Sequence, residues 1–372
     1  MSVVAGQTRR RWAVVAGVVV LLCALPTIDS ALPASVPTVA PAQLRAHIMA
    51  SAQTPYAGYA ESDASFGLPA LNGLGGVASL LDGVTRMRVW QASANSWRVD
   101  VLSDVGENDT YQTPHGSYLW NSQSELLTQV VGKYPIRLPR PADLVPPALA
   151  IRLLREASGQ ARLASLPPRR VAGIAAVGLR LIPADPASTI AQVDIWAEPG
   201  TWIPVQVEIF GHGSSQPAIT SQFLQVSSWQ PDQATLTPQR GPGTTYTQTD
   251  ATDLSGALSD LGPVILPATL AGRGRAASPL GFSQVGVYGH GLGTFVVLEI
   301  GGSTGLNLIS GAREDGGAAL KGSRWTGVVI SSRIITAVLL HPRRSSGTFV
   351  LAGFVDRQLL ERAANDLAAD PW

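Results

Sequence analysis

Cysteine is nearly absent. The one thiol, Cys23, lies in an N-terminal apolar run, so nothing downstream can form a disulfide or hold a metal through thiolates. Lysine is almost as scarce: Lys133 and Lys321 are the only two among 27 basic residues. That arginine bias, with abundant alanine, glycine and valine, is the signature of a GC-rich bacterial genome and says little about chemistry. Charge of one sign is missing too. A formal net charge of +1 over 372 residues provides no global attraction to nucleic acid or anionic membrane, so no nucleic-acid partner is expected.

The patterns of catalysis are also lacking. A hydrolase needs a nucleophile, a base and an orienter, and GGSTG at 301–305 is a G-x-S-x-G whose Ser303 has no base or orienter marked out by the sequence. Five scattered histidines (His47, His115, His212, His290 and His341) each read as surface or half-buried residues. No H-x-x-x-H, H-E-x-x-H or paired-cysteine spacing offers a metal site. The stretch GVYGHGLG at 286–293 has neither the lysine nor the following helix of a phosphate loop, and reads as a tight hairpin. GRGR at 272–275 reads as a solvated loop, with contact to a phosphate or lipid headgroup as the alternative. The expectation is a protein that is no enzyme and carries no cofactor and no metal.

Long apolar runs are confined to the start. Arg9, Arg10 and Arg11 precede the uncharged run Trp12–Leu25, which Pro26 ends. A charged region before an apolar one is an export signal, and the arginines stay on the cytoplasmic side. Residues 1–29 are therefore expected to be a signal peptide or an N-terminal membrane anchor, the anchor using 12–28. The run is short for a span of roughly 20 residues, and no clean A-x-A cleavage site follows. A lipoprotein reading fails on Leu22, where a small residue should precede the cysteine. The chain beyond is expected outside the cytoplasm.

What is present is mostly strand. After a linker at 30–40, PAQLRAHIMASAQT reads as a helix with Leu44, Ile48 and Met49 on its apolar stripe. Strand-like pieces follow at 56–69, 85–91, 96–102, 109–113, 117–121 and 126–131. Turn chemistry separates the later ones (SANS, SDVGEN, TPHG, NSQS), which implies an antiparallel meander. Residues 146–159 read as a second helix, then a second meander uses 177–182, 191–197, 204–210 and 221–227. The polar stretch 231–250 reads as the interdomain linker, and a short helix is expected at 253–261. A C-terminal unit carries strands near 284–288, 293–300, 325–330, 334–340 and 348–353, and a closing helix at 356–367. An antiparallel sheet with helices on one face satisfies this order.

The meander strands alternate. Met87 and Val89 interleave with Arg86 and Arg88; Trp97, Val99 and Val101 interleave with Arg98 and Asp100. Leu179 and Leu181, Val193 and Ile195, and Val205 and Val207 repeat the pattern, and Tyr118 and Trp120 add aromatics. Each set lies on one face of its strand. That face either packs on helices or exceeds what two helices can cover, leaving a lipid-sized cavity. These residues are the candidate ligand-binding positions.

Two blocks resemble a known fold. PYAGYAESDASFGLP with TRMRVWQASANSWRVDVLSDVGENDTYQTPHGSYLWNSQS, and GLRLIPADPASTIAQVDIWAEPGTWIPVQVEIFG with TSQFLQVSSW, resemble the LolA-like fold across residues 41–230. VGVYGHGLGTFVVLEI through GTFVLAGFVDRQLLERAANDLA resembles the second domain of MucB/RseB proteins. The resemblance implies an α+β architecture: a curved antiparallel half-barrel sheet with a helical lid, plus a second, smaller α+β domain. It implies a LolA-like domain at 41–230, a linker at 231–265 and an RseB-like domain at 266–372. It further implies a lipid or acyl chain in the half-barrel. In MucB/RseB proteins the two domains sense envelope stress and bind the periplasmic part of an anti-sigma factor. In carriers of the LolA type the same cavity ferries lipoproteins. The expected partners are thus a lipid or acyl chain and an anti-sigma factor or other membrane protein, with the carrier role as the alternative.

Overall fold

A computed structural model describes residues 36–67, 80–132, 139–157, 161–250, 264–276, 285–343, 345 and 347–369. The expected leader, residues 68–79 and the expected helix at 253–261 lie outside the described residues. Among the described residues no helix is long and apolar enough to cross a membrane.

Alternation becomes sheet, as the pattern requires. The first meander forms β1 (Tyr56–Ser65), β2 (Asp82–Ser93), β3 (Ser96–Ser103), β4 (Gly106–Thr113), β5 (Gly116–Asn121) and β6 (Leu126–Val131). The second forms β7 (Arg162–Val171), β8 (Ile174–Ile182), β9 (Ile190–Ala197), β10 (Pro204–Gly211) and β11 (Ile219–Ser227). β1 joins them by pairing with both β2 and β11, so one sheet runs from β6 to β7 with every contact antiparallel. The sheet is open, and it curls so strongly at the β7 end that β7 returns to touch β11. Pro167 and Pro168 interrupt the register of β7 with β8, a break that only an edge strand tolerates. Those prolines are why β7 is illegible as a strand in the sequence.

Two helices lie on the inner face. α1 (Pro41–Ala50) starts on Pro41 and buries Leu44 and Ile48. α2 (Pro146–Glu156) has Pro146 and Pro147 in its first turn and buries Leu149, Ala150, Ile151, Leu153 and Leu154. α2 belongs to the connection from β6 at one end of the sheet to β7 at the other, so it must cross the face. It packs on β10 and on α1, and α1 packs on β7 and β8. Under them Leu179, Leu181, Val193, Ile195 and Val207 are each fully buried. Residues 36–40, expected to be linker, have no regular secondary structure, and Val36 and Val39 pack against this core.

The stretch 231–250 is more than a linker. A short turn of helix, α3 (Gln233–Leu236), packs on β2, β3 and β4, with Leu236 buried. Strand β12 (Thr245–Asp250) then pairs with β6 in parallel and becomes the twelfth strand. Polarity suggested a free segment, but a sheet edge binds backbone and asks little of side chains.

A second sheet orders β15 (Val285–Tyr288), β16 (Phe295–Ile300), β20 (Thr348–Gly353), β19 (Thr336–Pro342), β18 (Trp325–Ser331) and β17 (Ala318–Lys321), all antiparallel. The small hairpin β13 (Thr269–Leu270) and β14 (Arg273–Gly274) precedes it. Helix α5 (Arg357–Ala369) covers one face through Leu359, Leu360, Ala363 and Leu367, and α4 (Gly302–Glu314) covers part of the other through Ile309 and Ala312. The sequence hid α4 behind its glycines. One of them is needed for close approach: a Cβ on Gly305 would stand 2.2 Å from Cβ of Thr348. The 286–293 stretch is the expected hairpin, linking β15 to β16.

Candidate functional site

Twelve strands about 4.8 Å apart make a sheet roughly 50 Å wide. Two helices of 10 and 11 residues, each about 15 Å long, cannot cover it. Both sit over the β7–β10 half. Where α2 stands off the β2–β5 half, a cleft of about 950 Å³ remains.

Val89, Trp97 and Val99 form its floor, with Tyr56 and Gln91 at one end and Gln112, Gly116 and Ser117 at the other. Pairing explains the grouping. Val89 stands opposite Val99, Gln91 opposite Trp97, Trp97 opposite Gln112, and Gln112 opposite Ser117. Pro147, Ala148, Ile151, Arg152, Arg155 and Glu156 of α2 make the facing wall, and Arg140, Ala142, Asp143 and Val145 close it near the helix start. A helical turn at Pro141–Leu144 sets that corner, held by the Asp143 carboxylate accepting the Arg140 N–H at 2.9 Å. Among the described lining residues there is no histidine and no cysteine.

The polar groups of the floor are used internally. The Gln91 amide donates to the carbonyls of Ala52 and Thr54 at 3.3 Å and accepts from the Tyr56 hydroxyl at 3.3 Å. The Ser117 hydroxyl donates to the Gln112 amide oxygen at 2.7 Å. Burial raises the Tyr56 phenol above its ordinary value, so it stays a neutral donor. Arg152 and Arg155 are exposed on the α2 wall, with no ion pair or hydrogen bond among the described residues.

The candidate residues therefore divide. Val89, Trp97 and Val99 line the cleft. Met87, Val101 and Val205 belong to the same apolar cluster without lining it. Leu179, Leu181, Val193, Ile195 and Val207 are core beneath the helices, because α1 and α2 together lie over that part of the sheet. Tyr118 and Trp120 stand opposite Tyr111 and Asp109 and face the other side of the sheet from Ser117. A shift of one residue reverses a strand's faces, and here Ser117 takes the inner one. Local pattern missed Ile151, Arg152 and Arg155, which periodicity placed on a helix without saying what that helix faces.

The outer face carries charge. The Arg98 guanidinium forks onto Asp100 at 2.6 and 2.8 Å and reaches Asp109 at 2.9 Å, beside the rings of Trp90 and Tyr111. Asp109 is 2% exposed, and its Oδ1 is buried without a hydrogen-bond partner. Burial and the neighbouring Asp100 carboxylate push its pKa up to about 7, against the pull of Arg98. Burial also raises Asp100, which Arg98 partly offsets. Asp100, Glu107 and Asp109 bring carboxylate oxygens within 4.8 Å of one another, the geometry of a cation site. Arg98 and Arg88 already hold these carboxylates, Arg88 through Glu107 at 2.9 Å. The GRGR arginines are engaged as well: Arg273 pairs with Asp185 at 2.5 Å, and Arg275 donates to the Leu266 carbonyl at 2.9 Å.

No protein-family model matches this chain, and no curated protein matches it. Its structural neighbours include MucB and LolA-superfamily proteins, the two groups named by the sequence resemblance. The solved MucA/MucB complex of Pseudomonas aeruginosa contains a chain 16% identical to this one, with 86% of this chain and 95% of that chain covered and a TM-score of 0.45. A LolA superfamily protein from Nitrosomonas europaea is 10% identical, with 54% of this chain and 99% of that chain covered and a TM-score of 0.24.

Proposed function

We propose that this chain is an extracytoplasmic, lipid-binding sensor of the MucB/RseB type, which takes a lipid or acyl chain into the cleft and modulates an anti-sigma factor or other membrane partner. The cleft carries the reading. Protein interiors are close-packed and leave few voids larger than a water molecule. A space of about 950 Å³ lies at the upper end of the ~300–1,000 Å³ usual for small-molecule sites. Its floor of Val89, Trp97 and Val99 and its wall residue Ile151 favour an apolar occupant. Gln91, Gln112 and Ser117 have partners within the fold, so the depth of the cleft asks for no polar ligand group. Arg152 and Arg155 place cations where the polar end of a chain-like ligand would emerge. The outward address rests on Arg9–Arg11 and the apolar run behind them, and the reading assigns the protein no catalysis.

Mass spectrometry of lipids that co-purify with the full chain tests this. The expected result is a bound acyl lipid, with loading at least tenfold lower in Trp97→Ala. A chain that emerges free of lipid and also refuses a fluorescent fatty acid overturns the reading. Transfer of the bound molecule to acceptor vesicles at a rate matching carriers would favour the LolA-type alternative, in which the cleft ferries its occupant.

A further inference from the structure

Strand β12 pairs with its neighbour in a way no other strand of the large sheet does. Every pairing from β6 to β7 is antiparallel, whereas β12 lies parallel to β6, from Thr245 opposite Leu126 to Asp250 opposite Val131. Parallel pairing is slightly weaker per residue. The side chains match poorly as well. The β6 edge presents Leu126, Leu127, Val130 and Val131, and β12 sets Thr245, Tyr246, Thr249 and Asp250 against them. Cross-strand pairs stabilise a sheet when their side chains pack, and at the start of the pairing Thr245 sets only a short hydroxyl-bearing side chain beside the part-exposed Leu126.

The tether behind β12 is light. From Pro231 to Thr249 only Pro231 and Leu236 are buried. Tyr246 supplies the anchor, its hydroxyl donating to the Gln129 amide oxygen and its ring covered by the Arg240 guanidinium at 3.4 Å. The ladder begins with the Thr245 N–H on the Glu125 carbonyl at 2.9 Å. Segments with few buried apolar contacts open at low free energy.

We propose that the outer edge of β6 is a docking edge for an extended segment of a partner polypeptide, and that β12 is its resident, displaceable occupant. Strand addition of this kind draws affinity from main-chain hydrogen bonds and specificity from alternate side chains. The edge defines its partner: six proline-free residues running parallel to β6, with β-branched or aliphatic side chains beside Leu126, Leu127, Val130 and Val131. Release of β12 uncovers that edge, and closure of β12 shields it from indiscriminate pairing. The proposal stands on the sheet edge and is independent of what fills the cleft.

Neighbouring N–H groups of a strand point to opposite sides, so of Tyr246→Pro and Thr247→Pro one removes a ladder hydrogen bond and the other does not. The probe is a fluorescein-labelled peptide of residues 243–250 carrying Thr249→Val and Asp250→Val, added to the full chain. One proline variant is expected to bind it at least tenfold more tightly than the parent chain, and the other within threefold of the parent. Amide exchange in β12 of the parent is expected to run at least tenfold faster than in β4. Should the ladder-breaking variant lose its circular dichroism spectrum, Arg240→Ala with Tyr246→Ala replaces it, with the same expectation. Equal peptide binding by the parent and all variants overturns the proposal, as does exchange in β12 as slow as in β4.

Discussion

Asp109 is a buried residue whose chemistry departs far from its ordinary behaviour. Arg98 cannot neutralise two carboxylates at once, and the Asp109 Oδ1 has no donor. With its pKa at about 7 in the fold against 3.8 in an unperturbed chain, the folded protein binds the proton more tightly than the unfolded one. The stability this contributes is complete below about pH 4 and is lost as pH rises through about 7. Every tenfold difference in proton affinity corresponds to about 1.4 kcal/mol, so the loss is on the order of a few kcal/mol. Asp109→Asn should therefore flatten the pH dependence and raise the urea midpoint at pH 8, while leaving it nearly unchanged at pH 4. Asp100, raised in the same direction, should respond to Asp100→Asn in the same sense but with a smaller gain at pH 8, because the substitution strips Arg98 of its two-point partner. Urea titrations at pH 4 and pH 8 check both, and a midpoint for Asp109→Asn below the parent's at pH 8 refutes the assignment.

At the scale of elements, helix α2 decides what the sheet's apolar face becomes. It carries Leu149, Leu153 and Leu154 into the core over β10 and turns Ile151, Arg152 and Arg155 toward the cleft. Two residues with the same local pattern thus meet different fates. Val207 lies under the helix, fully buried, and Val207→Asp should unfold the large sheet, since an unpaired charge there has no escape to water. Trp97 is half-buried on the open floor, and Trp97→Ala should keep the parent's circular dichroism spectrum. Thermal melts of the two variants separate the roles. If both unfold, the β2–β5 floor is core and the cleft is no ligand site; if Val207→Asp stays folded, the helix does not cover the sheet as described.

At the scale of the whole molecule, the two sheets hold each other through a narrow, well-defined seam. Leu292 and Ile334 from the small-sheet side are buried in the core beneath α1 and α2. Thr189 donates its N–H to the Phe354 carbonyl at 3.0 Å, and Asp356 returns a bond to Ala187 at 2.8 Å, bracketing a bridge between Ser188 and Val355. Contact is close enough that a Cβ on Gly211 would stand 2.3 Å from the Arg333 carbonyl oxygen. We propose that the chain still divides into two folding units at a boundary within 231–265. Because β12 completes the large sheet, limited proteolysis should release a large fragment that ends near residue 250, and not near 230. The two fragments should stay associated on a sizing column, and Gly211→Ala should let them separate. A first cut inside the meanders would sink the division.

The strands and their alternation were legible in the sequence because they are local properties. A period of two puts Val89, Val99 and Val207 on one face of their strands wherever those strands go, and the turns at SANS, SDVGEN and TPHG specify hairpins by themselves. The near absence of thiols and of clustered histidines was equally plain. Coverage was decided only by tertiary structure. Whether an apolar face becomes core or cleft depends on where the β6-to-β7 connection lays α2, a contact between residues some fifty positions apart that no local period encodes. The same holds for β12, whose threonines and tyrosine suit a strand but whose polar run has no apolar face to mark where it pairs. It holds for Tyr118 and Trp120, whose facing depends on how the 113–116 turn sets register. Sequence determined which side chains share a face; the path of the chain across the sheet determined what that face meets.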